Sequence, residues 1–148
     1  MSNWKHILLE GEYPERARIL DGLTSEQIGQ RPPGAHRSIY EELWHLKTWQ
    51  DVVLAKDNDL YEAWMKSTRY PEGQVPSTDD MFEQLGEEFL AGIQKIVDLT
   101  GSEENLAEEI APGIVFRDVV ESLAVHNAYH LGKIVALRQA LGCWVSRG

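Results

Sequence analysis

Residues 116–141 read FRDVVESLAVHNAYHLGKIVALRQAL, and this stretch decides the fold. At about 100° per residue, Phe116, Val119, Leu123, Ile134, Leu137 and Leu141 fall within roughly 80° of arc, so they form one apolar face of a long helix. Gly142 ends it. His126 and His130 lie in the same face, one helical turn apart, where neither ring easily reaches water.

Working outward, Ile39, Leu43, Leu46, Val53 and Leu54 recur at helical spacing over residues 38–56. Ser38 and Glu41 form a capping box at its start, each side chain accepting from the other's backbone N–H. A third helix is predicted over residues 77–99, with Ser77 and Asp80 as an acidic cap and Phe82, Leu85, Phe89, Ile93 and Ile96 along one face. Thr100-Gly101 stops it. Near the N-terminus Trp4, Ile7, Leu8, Ala17 and Leu20 read as helical, but Gly11 and Pro14 predict a kink or break near Tyr13. Thr24 and Gln27 cap one further short turn before Arg31-Pro32-Pro33-Gly34, a connection.

No strand-length alternation and no internal repeat is visible, so the reading is all-α: one four-helix bundle domain over residues 1–148. The connection over residues 57–76, between the second and third helices, is long enough to cross the bundle. It carries Tyr61, Trp64 and Tyr70-Pro71, of which Trp64 and Tyr61 either plug the bundle end or wall a pocket.

Fourteen basic against 24 acidic residues give a net charge of −10, and the basic residues are scattered singly. That argues against a nucleic-acid partner. The lone Cys143 allows no intramolecular disulfide and no cysteine-built zinc or iron-sulfur site, which suits a reducing cytoplasm. The first twelve residues offer only Ile7-Leu8-Leu9 as an apolar run, too short for a secretion signal or a membrane span.

Chemistry concentrates in the histidines. One imidazole in an apolar stripe is ordinarily a core residue bonded to a carbonyl or carboxylate, but two at i, i+4 can aim at one point, which favours metal chelation. His45, beside Trp49 and Val52 on the flank of the second helix's buried arc, is the third candidate. Three neutral imidazoles suit Zn(II) or Ni(II), with Fe(II), Co(II) or Mn(II) as further options, and leave a position for water or substrate. Two other metal patterns lack residues. Glu42-x-x-His45 is half of a di-iron motif, but Leu123 and Asn127 occupy the positions three before His126 and His130. Asn127 also replaces the general-base Glu of a zinc-protease helix.

With Ser38-Ile39-Tyr40-Glu41-Glu42-Leu43-Trp44-His45 and His126-Asn127-Ala128-Tyr129-His130-Leu131-Gly132-Lys133, followed by the Arg138…Gly142 ending, the chain resembles the DinB/YfiT-like family of metalloenzymes over nearly its whole length. The resemblance implies a four-helix bundle of non-simple helix order, a divalent metal on His45, His126 and His130, and a homodimer. It also implies a thiol-dependent transferase or a hydrolase acting on a small molecule, in which the metal holds a low-molecular-weight thiol as thiolate or activates water. The alternative is a non-catalytic metal-binding or stress-response helical dimer.

Glu42, one turn before His45, could orient an imidazole, serve as a base or lie on a solvated edge. Tyr129 could donate to a ligand or pack at the bundle surface, and Trp49 could wall a pocket or fill the core. His6 and His36 read as solvated, Cys143 as structural or incidental, and the Glu103-Glu104 and Glu108-Glu109 pairs as solvated carboxylates.

Overall fold

The computed structural model describes residues 3–145. Three long helices carry the fold: α3 (Ile39–Ala55), α5 (Met81–Leu99) and α7 (Phe116–Ala140). α3 packs against both α5 and α7. The fourth position is filled by a broken N-terminal segment, a π-helical turn at His6–Glu10 followed by α1 (Arg16–Leu20), which lies against α5 and α7. Short helices α2 (Ser25–Gly29), α4 (Asn58–Lys66) and α6 (Glu103–Leu106) occupy the connections. The architecture is the expected all-α bundle.

The break falls where Gly11 and Pro14 place it, and a side chain repairs it. Arg16, fully buried, donates through its guanidinium to the carbonyls of Ile7 (2.5 Å), Leu8 (3.1 Å), Gly11 (2.9 Å), Tyr13 (3.1 Å) and Pro14 (3.2 Å). Carbonyls left orphaned where helical pairing stops are thereby satisfied without water. Arg138 does the same at the other end, donating to the carbonyls of Ile19 and Asp21 (both 2.7 Å) and of Cys143 (3.0 Å), which ties the end of α1 to the end of α7.

Ser38 caps α3 as its sequence predicts, with Ser38 Oγ accepting from Glu41 N–H (3.3 Å) and the Glu41 carboxylate accepting from Ser38 N–H (3.0 Å). Thr24 and Gln27 form the same box on α2. The predicted cap of α5 does not form. Asp80 has αR backbone angles (φ −85°, ψ −12°) instead of the extended ones an N-cap needs, and Ser77 Oγ lies 3.8 Å from Met81 Sδ. The helix therefore starts at Met81.

Two further departures concern the connections. The stretch over residues 57–76 contains α4, started by Asp57, whose carboxylate accepts from the backbone N–H groups of Asp59 (2.9 Å) and Leu60 (3.3 Å). Ahead of α7, strands β1 (Glu109–Ala111) and β2 (Ile114–Val115) pair antiparallel around Gly113, whose φ of +76° is the left-handed conformation such a tight turn requires. No strand was expected because two or three residues are too few to show alternation.

The buried face of α7 is also rotated from the predicted stripe. Val120, Asn127, Leu131 and Arg138 join Phe116, Leu123, His130, Ile134 and Leu137 inside, while Val119 and His126 move to its edge. Among the described residues no helix is long and apolar enough to cross a membrane.

Glu41 is fully buried and accepts from Arg31 (2.8 and 2.9 Å) and Arg37 (3.1 Å) as well as from Ser38. Burial acts to raise its carboxyl, but the hydrogen bonds from Arg31, Ser38 and Arg37 and the Arg31 charge outweigh it and hold the group below its ordinary 4.5. A carboxyl depressed in the fold contributes stability above its unfolded value, and that stability is lost as pH falls through the folded one. Glu41→Gln should therefore destabilise the protein at pH 7 by about 1–3 kcal/mol and flatten the loss of stability below about pH 4.5, as read by urea unfolding across that range.

Candidate metal centre

α3 and α7 bring His45, His126 and His130 together. One ring nitrogen from each lies within 4.8 Å of the others, and the ring centroids are 4.4–4.9 Å apart. His45 and His130 are buried and His126 is half-buried at the edge of the α7 face.

The outer nitrogens decide what the inner ones can do. His45 Nδ1 is 2.8 Å from the Arg69 carbonyl, which can only accept, so the proton is on Nδ1 and Nε2 carries the lone pair. His130 Nδ1 is 2.6 Å from the Glu42 carboxylate, which by the same logic leaves its Nε2 free. His126 Nε2 lies 3.0 Å from His45 Nε2, and its Nδ1 is buried without a partner. Two lone pairs fixed by outer partners, with a third nitrogen beside them, form a donor set for a divalent cation that favours imidazole.

Burial, with His130 and His45 alongside, pushes the His126 imidazole down from 6.5 to about 4. His45 is also held below 6.5, first by burial and then by His130, against the bond to the Arg69 carbonyl. Both groups therefore resist protonation in the fold.

Aromatic rings enclose the cluster. Tyr70 stacks on His45 at 4.6 Å with 12° between the planes, and Trp64 lies 5.4 Å away on the same imidazole. Trp49 meets His126 edge-on at 6.3 Å, and Tyr129 meets His130 at 5.0 Å. The two readings of the long connection divide between its residues: Trp64 is buried and plugs the end beside His45, whereas Tyr61 is exposed and walls a cavity with Trp49. Tyr129 is 62% exposed beneath the Lys133 ammonium, at the bundle surface.

Glu42 lies buried against His130, not at a solvated edge. Neither the Arg69 carbonyl nor the Tyr70 stack is legible in the sequence. Arg69 contributes only backbone, in a left-handed turn (φ +63°), which no side-chain pattern announces. The remaining candidates lie elsewhere: His6 pairs with Glu12 on the surface, His36 is exposed, and Cys143 is half-buried at the Arg138 end. Glu103 pairs with Arg117 and Glu108 with Lys56.

An all-α bundle with three convergent imidazoles between two of its long helices defines the class of protein. The model of the DinB superfamily matches residues 9–134, and the chain belongs to that superfamily. No curated protein and no solved structure matches it.

In chelator-treated protein His126 and His45 stay neutral in the fold while their unfolded counterparts bind protons below about 6.5. Stability present above pH 6.5 should therefore fall as pH drops toward 4, where the His126 contribution levels off. Thermal unfolding of metal-free protein between pH 7.5 and 4 checks this, and His126→Ala should show a shallower slope.

Proposed function

We propose that His45, His126 and His130 bind one divalent metal ion, Zn(II) or Ni(II) in the first instance, through their Nε2 atoms, and that the protein is a metal-dependent enzyme acting on a small molecule. The observation that carries this reading is that one ring nitrogen of each histidine lies within 4.8 Å of the others, while the outer partners, the Arg69 carbonyl and the Glu42 carboxylate, occupy Nδ1 of His45 and His130 and leave Nε2 as the free donor of each neutral ring. When bound, such an ion supplies Lewis-acid activation of a thiol or of water, the chemistry of a thiol-dependent transferase or of a hydrolase.

The chain's own residues do the positioning. Glu42 holds the His130 ring and makes it a better donor, while Tyr70 and Trp64 fix the plane of His45. The aromatic surround keeps bulk water away from the imidazoles, which strengthens any electrostatic interaction made there. The reading includes one domain, a cytoplasmic setting, which the single cysteine supports, and a homodimer, which the resemblance drawn from the sequence implies.

Titration of chelator-stripped protein with Zn(II) should give one equivalent per chain and raise the melting temperature. His126→Ala, His130→Ala and His45→Ala should each abolish both effects, and Glu42→Gln should weaken binding about 10–100-fold without removing it. Unchanged melting with and without Zn(II) or Ni(II) would leave the 3.0 Å His45–His126 contact as an ordinary hydrogen bond in a polar core. Light scattering at micromolar concentration should return the mass of two chains; the mass of one would remove the dimer.

A further inference from the structure

A cavity of about 250 Å3 opens between the second half of α3, the start of α4, the β-hairpin and the first turns of α7. Helix geometry places it next to the histidines. Trp49 lies one turn beyond His45 on α3, Ser122 lies one turn before His126 on α7, and both line the cavity. Four residues of helix advance about 6 Å. Trp49 is the shared wall, edge-on to His126 on one side and 6.1 Å from Tyr61 on the other.

Every charged side chain lining this cavity already has a partner within the fold. Lys56 Nζ is 2.5 Å from the Glu108 carboxylate and lies over the Phe116 ring. The Asp57 carboxylate accepts from the first N–H groups of α4, and Asp118 accepts from Val115 N–H (3.4 Å). Apart from Asn58 and Ser122, the walls that remain are apolar or aromatic, Trp49, Val52, Tyr61, Ile110, Ile114 and Val119 among them. An anionic ligand would give up hydration here facing Asp57 and Asp118, with the one cation, Lys56, already paired, whereas an apolar ring gains by burial and by packing against Trp49 and Tyr61. A cavity of about 150 Å3 suffices for benzene, so this one suits a body of one or two rings.

We propose that the cavity binds the uncharged, one- or two-ring apolar body of a small molecule, with the molecule's functional end directed past Trp49 toward His126 and His45. The chemistry at that end rests on the metal reading above; the binding of the ring body does not.

The test is calorimetric titration of the full chain with 2-naphthol and with 2-naphthalenesulfonate, each on chelator-stripped and Zn(II)-treated protein. 2-Naphthol should bind in both states and the sulfonate about tenfold or more weakly. Ile114→Arg and Ser122→Trp, both at exposed positions, should weaken 2-naphthol about tenfold or more while leaving Zn(II) binding as in the natural chain. Absence of 2-naphthol binding, equal binding of the sulfonate, or full binding by both variants would each overturn the proposal. Zn(II) binding retained alongside any of these results would show that the pocket reading alone had failed. 2-Naphthol binding with no Zn(II) binding would support the pocket and overturn the metal reading instead.

Discussion

The structure turns on how three imidazoles, two buried and one half-buried, can be held between α3 and α7. An imidazole carries two polar nitrogens, and burying either without a partner costs free energy comparable to a lost hydrogen bond. His45 and His130 solve half of that problem through Nδ1, one on the Arg69 carbonyl and one on the Glu42 carboxylate. What remains is a set of nitrogens turned toward each other, with a single 3.0 Å contact among them and His126 Nδ1 unpartnered. Such a cluster of ring nitrogens could hold a divalent cation.

The long connection between α3 and α5 follows from that constraint. Its left-handed turn at Arg69 presents the carbonyl that His45 needs, Tyr70 packs flat on the same ring, and the Arg37 guanidinium lies 4.0 Å over Tyr70 on its other side. α4 sets Trp64 against His45, Trp44 and Trp49, closing the end of the bundle. A segment that reads as a mere linker thus supplies the outer layer of the site, and it does so with backbone and ring faces, not with further ligands.

Two buried arginines let the fourth position be irregular. A continuous first helix is barred by Gly11 and Pro14, and the break exposes carbonyls that the core cannot hydrate. Arg16 collects five of them, and Arg138 joins the end of α1 to the end of α7. The N-terminal segment is therefore held by charge-assisted bonds to backbone as well as by the burial of Trp4, Leu8 and Ile19.

The sequence by itself determined the three long helices, because their information is local: the apolar period of α3, α5 and α7, the capping boxes at Ser38 and Thr24, and the break at Gly11 and Pro14 are all set within a few residues. It also singled out His45, His126 and His130, since a polar ring at a core-facing position conflicts with its surroundings and so stands out. Tertiary structure alone decided what surrounds them. Glu42 meets His130 from 88 positions away, and the Arg69 carbonyl has no side-chain signature at all. The rotation of the α7 face, which moves His126 to the edge and brings Asn127 inside, was likewise set by packing against α3. Helical periodicity fixes a stripe only to within a residue or so of arc, and the neighbouring helix selects which part of it is buried.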